Sequence, residues 1–209
     1  MRISICIPVY EMYGHGVEYL SHLINTIKSQ TYKDFEIIIS DHSVDNEIEK
    51  FTSTINAIYF RNERGRGNSS INMNEAIKLA KGEIIKIMHQ DDYFYSNEAL
   101  QMISDSLLNS KWGAAGFIHN YDGSLIKTMN HIVGCPSTSF FINDNNFFDE
   151  NLIFINDHDL HTRLGKKYGE PIYIPETLIV IRQHENTVSN KIITNGLAND
   201  EWKYFKEKN

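Results

Sequence analysis

Cysteine is scarce in this chain: 209 residues contain two, Cys6 and Cys135. That excludes a disulfide framework and a zinc site of paired-cysteine spacing. Cys6 lies inside an apolar run and reads as a buried thiol, which behaves as a small hydrophobe. A basic excess is missing too. Lys and Arg number 20 against 27 Asp and Glu, a net charge of −7, so a nucleic-acid partner, which needs a basic footprint, is not expected. A phosphorylated ligand at one local site remains compatible with that balance. No run approaches the ~20 apolar residues of a membrane span, and the apolar part of the N-terminus, residues 3–9, is too short for a signal peptide. The expectation is a cytoplasmic protein with no integral membrane segment. No glycine-rich dinucleotide or Walker-type loop follows the first apolar run, which disfavours a dinucleotide dehydrogenase and a P-loop enzyme.

What is present is a globular composition, 41% hydrophobic and 22% charged, at a length that fits one domain. Residues 3–9, 35–39, 55–60 and 84–88 are rich in β-branched residues and read as strands. Between them, residues 17–30 carry Val17, Leu20, Leu23, Ile24 and Ile27 at helical spacing, residues 47–54 form a short helix, and residues 71–80 form a helix with Gly82 at its C′ position. Strand and helix alternating in this way predict an α/β fold with a mainly parallel sheet flanked by helices. Further on, residues 97–109 read as a helix and 112–118 as a strand. Tyr121 to Ser124 read as a turn, 137–142 as a strand, and 147–155 as irregular. A helix starts at Asn156, two short strands cover 171–175 and 178–181, and a polar helical tail, 191–209, packs on the body or on a second subunit.

The stretch GEIIKIMHQDDY, residues 82–93, organises the rest. A buried strand ends there on two adjacent carboxylates, Asp91 and Asp92. Open α/β sheets bind ligands at the carboxyl ends of their strands, and paired carboxylates suit Mg²⁺ or Mn²⁺ bound together with substrate phosphates. The plainer alternative is that the two acids cap the following helix. Other polar loops, residues 8–10, 41–45 and 64–68, fall on the same predicted edge, an arrangement compatible with a nucleotide site.

The order of these motifs resembles the family 2 glycosyltransferases, inverting enzymes of GT-A fold, over residues 3–189. ICIPVY (5–10) looks like the family's opening strand and nucleotide loop. SQTYKDFEIII (29–39) is similar to its approach to the second strand, and NEAIKLAKGEII (74–85) to the segment before the metal motif. Gln90-Asp91-Asp92 sits where the family has Asp-x-Asp. FDENL (148–152) with Asn156, Asp157 and Arg163 resembles the segment of the catalytic base, and Arg182-Gln183-His184 the late Arg-x-His. Three departures stand out: Gln90 replaces the first Asp of Asp-x-Asp, Ser40-Asp41 leaves one acid after the second strand, and Asn72-Met73-Asn74 lacks the family's arginine.

The resemblance implies a Rossmann-like GT-A domain over residues 1–190, with a nucleotide-binding half (1–95) and an acceptor half (96–190). It also implies a metal-dependent inverting transfer of a hexose, glucose or galactose, from a UDP-sugar to a saccharide or glycan hydroxyl. A homodimer through residues 191–209 is a further expectation. Asp92 would bind Mn²⁺ or Mg²⁺, with His184 as a further metal ligand or a phosphate contact, and otherwise as a structural hydrogen-bonder. Asp91 would hold the ribose or a metal-bound water. Pro8 and Tyr10 would form the base pocket, with Tyr10 alternatively a core aromatic. Asp41 would accept from the uracil ring or else stabilise its turn. Arg64 or Arg66 would contact the diphosphate or simply be solvated. Asp157 is the expected general base, with Asp159 its competitor and helix-dipole stabilisation its plainer role. Two other functions stay open. One is a non-catalytic or hydrolysis-only sugar-nucleotide-binding module, motivated by Gln90 and the short chain. The other, disfavoured by the missing glycine-rich first loop, is a nucleotidyltransferase that makes sugar nucleotides.

Overall fold

The most apolar runs of the chain lie side by side at the centre of one sheet. The computed structural model describes residues 1–121, 123–126, 135–184, 187 and 197–208. β1 (Ile3–Val9) is buried at every residue, β2 (Phe35–Asp41) at all but the first, and β3 (Ile58–Arg61) forms the edge. β4 (Ile84–Ile87) is again buried throughout. Strands covered on both faces have no solvated side, which is why they read as continuous Ile-rich runs. The four pair in parallel in the order β3-β2-β1-β4. Helices α1 (Gly16–Lys28), α2 (Glu47–Thr52) and α3 (Ser69–Lys78) connect them. The period-two alternation of β1 sorts its side chains between two layers. Ile3, Ile5, Ile7 and Val9 pack with Leu20, Leu23, Ile24 and Ile27 of α1, and Cys6 packs with Met73, Ala76 and Ile77 of α3. Each fully buried Ile or Leu stabilises the fold by about 1.5–3 kcal/mol.

Beyond β4 the sheet becomes mixed. The remaining strands are β5 (Tyr93–Phe94), β6 (Trp112–Tyr121), β7 (Ser124–Ile126), β8 (Ser139–Ile142) and β9 (Ile172–Gln183). β8 pairs antiparallel with both β4 and β6, β9 runs parallel to β6, and β5 closes antiparallel on β9. The result is one nine-stranded sheet running through both halves of the chain, in the order β3-β2-β1-β4-β8-β6-β9-β5 with β7 hairpinned to β6. Helices α4 (Ala99–Ser106), α5 (Asn156–Tyr168) and α6 (Leu197–Lys208) follow among the described residues. Among the described residues no helix is long and apolar enough to cross a membrane.

Several elements differ from expectation for identifiable reasons. Residues 171–175 and 178–181 belong to one strand, β9, because its pairing with β6 survives Pro175. A register irregularity between Ala115 and Phe117 absorbs the proline, and Gly116 admits it, since a Cβ there would lie 2.5 Å from the Glu176 carbonyl oxygen. Gly82 is not a helix C′ residue, because α3 ends at Lys78. Its N–H instead donates to Ser4 Oγ (2.8 Å) and Glu36 Oε1 (3.0 Å). A Cβ at Gly82 would sit 2.7 Å from the Arg2 carbonyl. Residues Pro136–Thr138 form a 3₁₀ turn ahead of β8. The tail packs on the body of its own chain as α6; residues 191–196 of the expected tail lie outside the described residues.

His161 of α5 is stacked on Trp112 (5.6 Å between ring centroids), with Nε2 2.7 Å from Ser139 Oγ. Burial lowers its pKa from 6.5 to about 4. Between those values the unfolded chain takes up a proton that the folded chain refuses. Its contribution to stability is therefore complete above pH 6.5 and declines as pH falls toward 4. In denaturant titrations from pH 7 to 4.5, His161→Gln is expected to flatten the pH dependence of unfolding by up to about 1.4 kcal/mol per pH unit.

Candidate functional site

The carboxyl ends of β1, β2 and β4 lie on one edge, and the far end of β9 arrives at the same place. Gln90, buried at 2% exposure, stitches the edge together. Its Oε1 accepts the Tyr10 N–H (2.7 Å) and its Nε2 donates to the Gly16 carbonyl (3.1 Å). It thereby ties the exit of β1 to the first turn of α1. Asp91 and Asp92 follow directly, and β9 binds both. The Arg182 N–H donates to Asp92 Oδ1 (3.0 Å), Arg182 Nε donates to the Asp91 carbonyl (3.0 Å), and His184 Nε2 lies 3.1 Å from Asp91 Oδ2. The Arg182 guanidinium is 4.6 Å from the ring centroid of Tyr19 and 5.6 Å from that of Tyr93, and the His184 ring stacks on Tyr19 at 5.7 Å. Among the described residues the two terminal nitrogens of Arg182 make no hydrogen bond. Tyr19, Asn120, Arg182 and His184 line a small cleft of about 110 Å³.

The two acids differ in environment. Asp92 is only 3% exposed; burial pushes its carboxyl upward and the neighbouring Asp91 charge adds to the effect. Its Oδ2 receives the Cys135 thiol at 3.6 Å, and the nearby Ser137 side chain draws the carboxyl partly back down. Ser137 is a junction: its hydroxyl accepts the His89 N–H (2.9 Å) while its carbonyl accepts from Lys86 Nζ. Lys86 is fully buried inside β4. It also donates to the carbonyls of Ile87 (3.1 Å) and Ser139 (3.4 Å), and burial pulls its pKa down to about 7. Three carbonyl dipoles satisfy its three N–H donors, as a buried ammonium requires.

Asp157, in the first turn of α5, is half-buried. Its Oδ1 accepts the His158 N–H (2.7 Å), and burial raises its carboxyl to about 6. Its charge reaches Cys135, the thiol that touches Asp92. Asp159 is fully enclosed, holding Arg163 Nε and Lys208 Nζ at 2.8 Å each. Pro8 is buried within β1. Tyr10 is half-buried, and burial with the charge of Asp91 raises its phenol to about 12. Asp41 is 0% exposed. It takes the Ser43 N–H (2.7 Å) and the Tyr59 hydroxyl (2.8 Å), with Arg61 at 3.5 Å, so its oxygens stabilise their own turn. Arg64 forms ion pairs with Glu75 (3.2 Å) and Glu150, and Arg66 is exposed.

The structure therefore brings Tyr10, Asp91, Asp92 and His184 together, while Asp157 sits at the start of α5, where its charge helps raise the Cys135 thiol. Both oxygens of Asp41 and both terminal nitrogens of Arg64 are taken up by neighbours. The expected metal pair was Asp92 with His184, whereas the geometry joins His184 to Asp91. In the sequence Arg182 stands out only as a motif position, and Lys86, Ser137 and Tyr19 belong to no motif. A lysine inside an Ile-rich strand was the visible signal for Lys86.

Two groups fit a divalent cation by chemistry. Asp91 and His184 offer a carboxylate and an imidazole on the rim, a donor set that suits Mn²⁺ better than Mg²⁺. His89, Asp92 and Cys135 have donor atoms within 4.8 Å of one another, and among the described residues the buried His89 Nε2 has no hydrogen-bond partner. Burial holds the Cys135 thiol well above its usual pKa, which makes this second trio poor for a hard cation.

A sequence model of glycosyl transferase family 2 matches residues 4–164, and the chain belongs to that family. An uncharacterised glycosyltransferase of Rickettsia typhi is 26% identical over 216 residues, covering 90% of this chain and 66% of that protein. A poly(ribitol-phosphate) beta-glucosyltransferase of Bacillus spizizenii is 30% identical over 140 residues, 62% of this chain and 22% of that protein. Staphylococcus aureus TarS 1–349 in complex with UDP-GlcNAc superposes with a TM-score of 0.73 at 18% identity, over 90% of this chain and 60% of that one. The mannosyltransferase PcManGT of Pyrobaculum calidifontis in complex with GDP-Man and Mn²⁺ superposes with a TM-score of 0.65 at 16% identity, over 86% and 56%. These structures share the GT-A fold with this chain. The chain spans between 36% and 68% of the length of the rickettsial relatives that match most of it.

Gln90→Asp shortens the side chain and removes the amide that serves the Gly16 carbonyl. The variant is expected to lose about 1–3 kcal/mol of stability, the penalty for an unsatisfied buried polar group, with no gain in Mn²⁺ affinity. Denaturant unfolding and calorimetric Mn²⁺ titration check both parts; a tenfold tighter Mn²⁺ would show that Gln90 occupies a ligand position.

Proposed function

We propose that this chain is the donor-binding and catalytic unit of a metal-dependent, inverting hexosyltransferase that uses a UDP-sugar, glucose or galactose, and delivers it to a saccharide or glycan hydroxyl. The observation that carries the reading is the Asp91–His184 pair on the rim, beside an Arg182 guanidinium stacked on Tyr19. The name of the Bacillus relative and the UDP-sugar bound by TarS support a UDP donor and a glucose-type sugar. Asp91 and His184 would hold Mn²⁺, with Asp92 behind them keeping β9 in register through the Arg182 N–H. When bound, the cation neutralises charge on the departing diphosphate. Arg182 is the phosphate contact, because its outer nitrogens match phosphate geometry and make no hydrogen bond among the described residues. Pro8 and Tyr10 border the base pocket, and Asp41 shapes that pocket through its turn.

Asp157 is the general base. It removes the proton from the acceptor hydroxyl while that oxygen bonds to the anomeric carbon. The carbon–oxygen bond to the diphosphate breaks on the opposite face, and its electron pair leaves with UDP. An α-linked donor then gives a β-linked product. A carboxylate raised to about 6 is near the operating pH, where general bases work best. Since it acts ionised, kcat/KM should rise with pH through about 6 and level above it. Asp157→Asn should lower transfer by about 10²–10⁴-fold and remove that limb; near-full activity in this variant would reject the assignment.

Thermal shifts with nucleotide sugars separate the metal ligands. UDP should stabilise the protein, and Mn²⁺ should increase the shift, as linkage requires. Asp91→Asn and His184→Ala should keep the response to UDP and lose the Mn²⁺ increment. Asp92→Asn should instead lower the melting temperature of the free protein. A larger response to GDP than to UDP would redirect the donor assignment, and hydrolysis of UDP-sugar with no transfer to any acceptor would favour a hydrolysis-only role.

A further inference from the structure

Helix α6 is held to the rest of the molecule by polar contacts concentrated on the segment that leads into α5. Glu201, at 6% exposure, accepts the backbone N–H groups of Ile153 (2.8 Å), Phe154 (2.9 Å) and Ile155 (3.0 Å). These three residues run straight into Asn156 and Asp157. At the other end of α6, Lys208 Nζ bridges Asp149 Oδ2 (2.6 Å) and Asp159 Oδ1 (2.8 Å). Between them Trp202 and Phe205 meet the ring of His158 edge-on at 5.0 and 4.9 Å. The opposite side of the same segment is tied to α3: Asn156 Nδ2 donates to Ser70 Oγ (2.8 Å), and Ser70 Oγ bonds the Leu152 carbonyl. The start of α5 is therefore clamped between the donor half of the protein and α6.

We infer that Glu201 is a positioning residue for transfer, and that α6 is the element that fixes Asp157 against the acceptor hydroxyl. The physical reason lies in the helix start. The first N–H groups of a helix and the residues before it need acceptors, and a carboxylate supplies two strong ones at the positive end of the helix dipole. One carboxylate orienting three successive N–H groups sets the angle at which α5 enters, and with it the position of a base two residues later. This inference rests on Asp157 being the base. It adds that the base is set by an element far along the chain that makes no described contact with the Asp91–His184 rim.

The test is Glu201→Gln in the full chain, with Asp157→Asn measured beside it. The amide keeps the size of the side chain but loses the charge and presents a donor toward donors. Misplacing a catalytic group by about 1 Å costs about 10²-fold, so kcat should fall by about that factor. The Kd for UDP, measured by titration, should stay within about twofold, and the acid limb of kcat/KM should move. An unchanged kcat, or a lower melting temperature with both kcat and the limb unchanged, overturns the inference. If Asp157→Asn retains transfer, the base assignment fails instead, whatever Glu201 does. Should Glu201→Gln not fold, Lys208→Met releases the far end of α6: a fall of about tenfold in kcat at constant UDP affinity supports the inference, and no fall overturns it.

Discussion

The edge of this protein depends on the hydrogen bonds by which β9 returns to the two acids after β4. Asp92 receives a backbone N–H from Arg182, and Asp91 receives Arg182 Nε on its carbonyl and His184 on its carboxylate. These contacts join residues about ninety positions apart, and they set where the guanidinium and the imidazole stand. Without them the rim of β4 would be a capped strand end. With them it becomes an edge where anionic oxygens, an imidazole and a guanidinium anchored through its Nε meet. Burial divides the labour between the acids: Asp92 is kept inside, bonded to neighbours that hold it in place, while Asp91 stays accessible.

The charge that Asp92 brings below the surface has a counterpart in Lys86. A lysine in the middle of a buried strand is expensive unless its donors are met, and the carbonyls of Ile87 in β4 itself, Ser137 in the turn before β8 and Ser139 at the start of β8 meet them. The same turn supplies Ser137, whose hydroxyl reaches the His89 backbone and Asp92. The antiparallel strand inserted between β4 and β6 therefore does more than extend the sheet. It carries the backbone oxygens that let a cation sit under the acids, and it delivers Cys135 and Ser137 to them.

Much of the parallel part of the sheet, β1 to β4, was legible in the sequence, because parallel strands buried on both faces leave long Ile-rich runs and α1 shows its apolar stripe at helical spacing. Asp157 at a helix start was legible for the same local reason. The rest depends on which distant strands become neighbours. β5 is two residues long and has no periodicity to detect. The continuity of β9 through Pro175 depends on an irregularity in its partner, β6. Gln90 looked like a lost ligand, and only its two buried partners reveal it as a tie between β1 and α1. The assignment of His184 to Asp91 rather than Asp92 follows from the register in which β9 meets the acids. Sequence spacing does not carry that register.

Both thiols of the chain lie in surroundings that suppress their ionisation, Cys6 within the core and Cys135 against the Asp92 carboxylate. Alkylating reagents attack the thiolate, so the native protein should react sluggishly with them. Cys135 is partly exposed, so its labelling would be paced by the rare ionisation of a thiol held beside Asp92, and the rate of modification becomes a gauge of the field around that carboxylate.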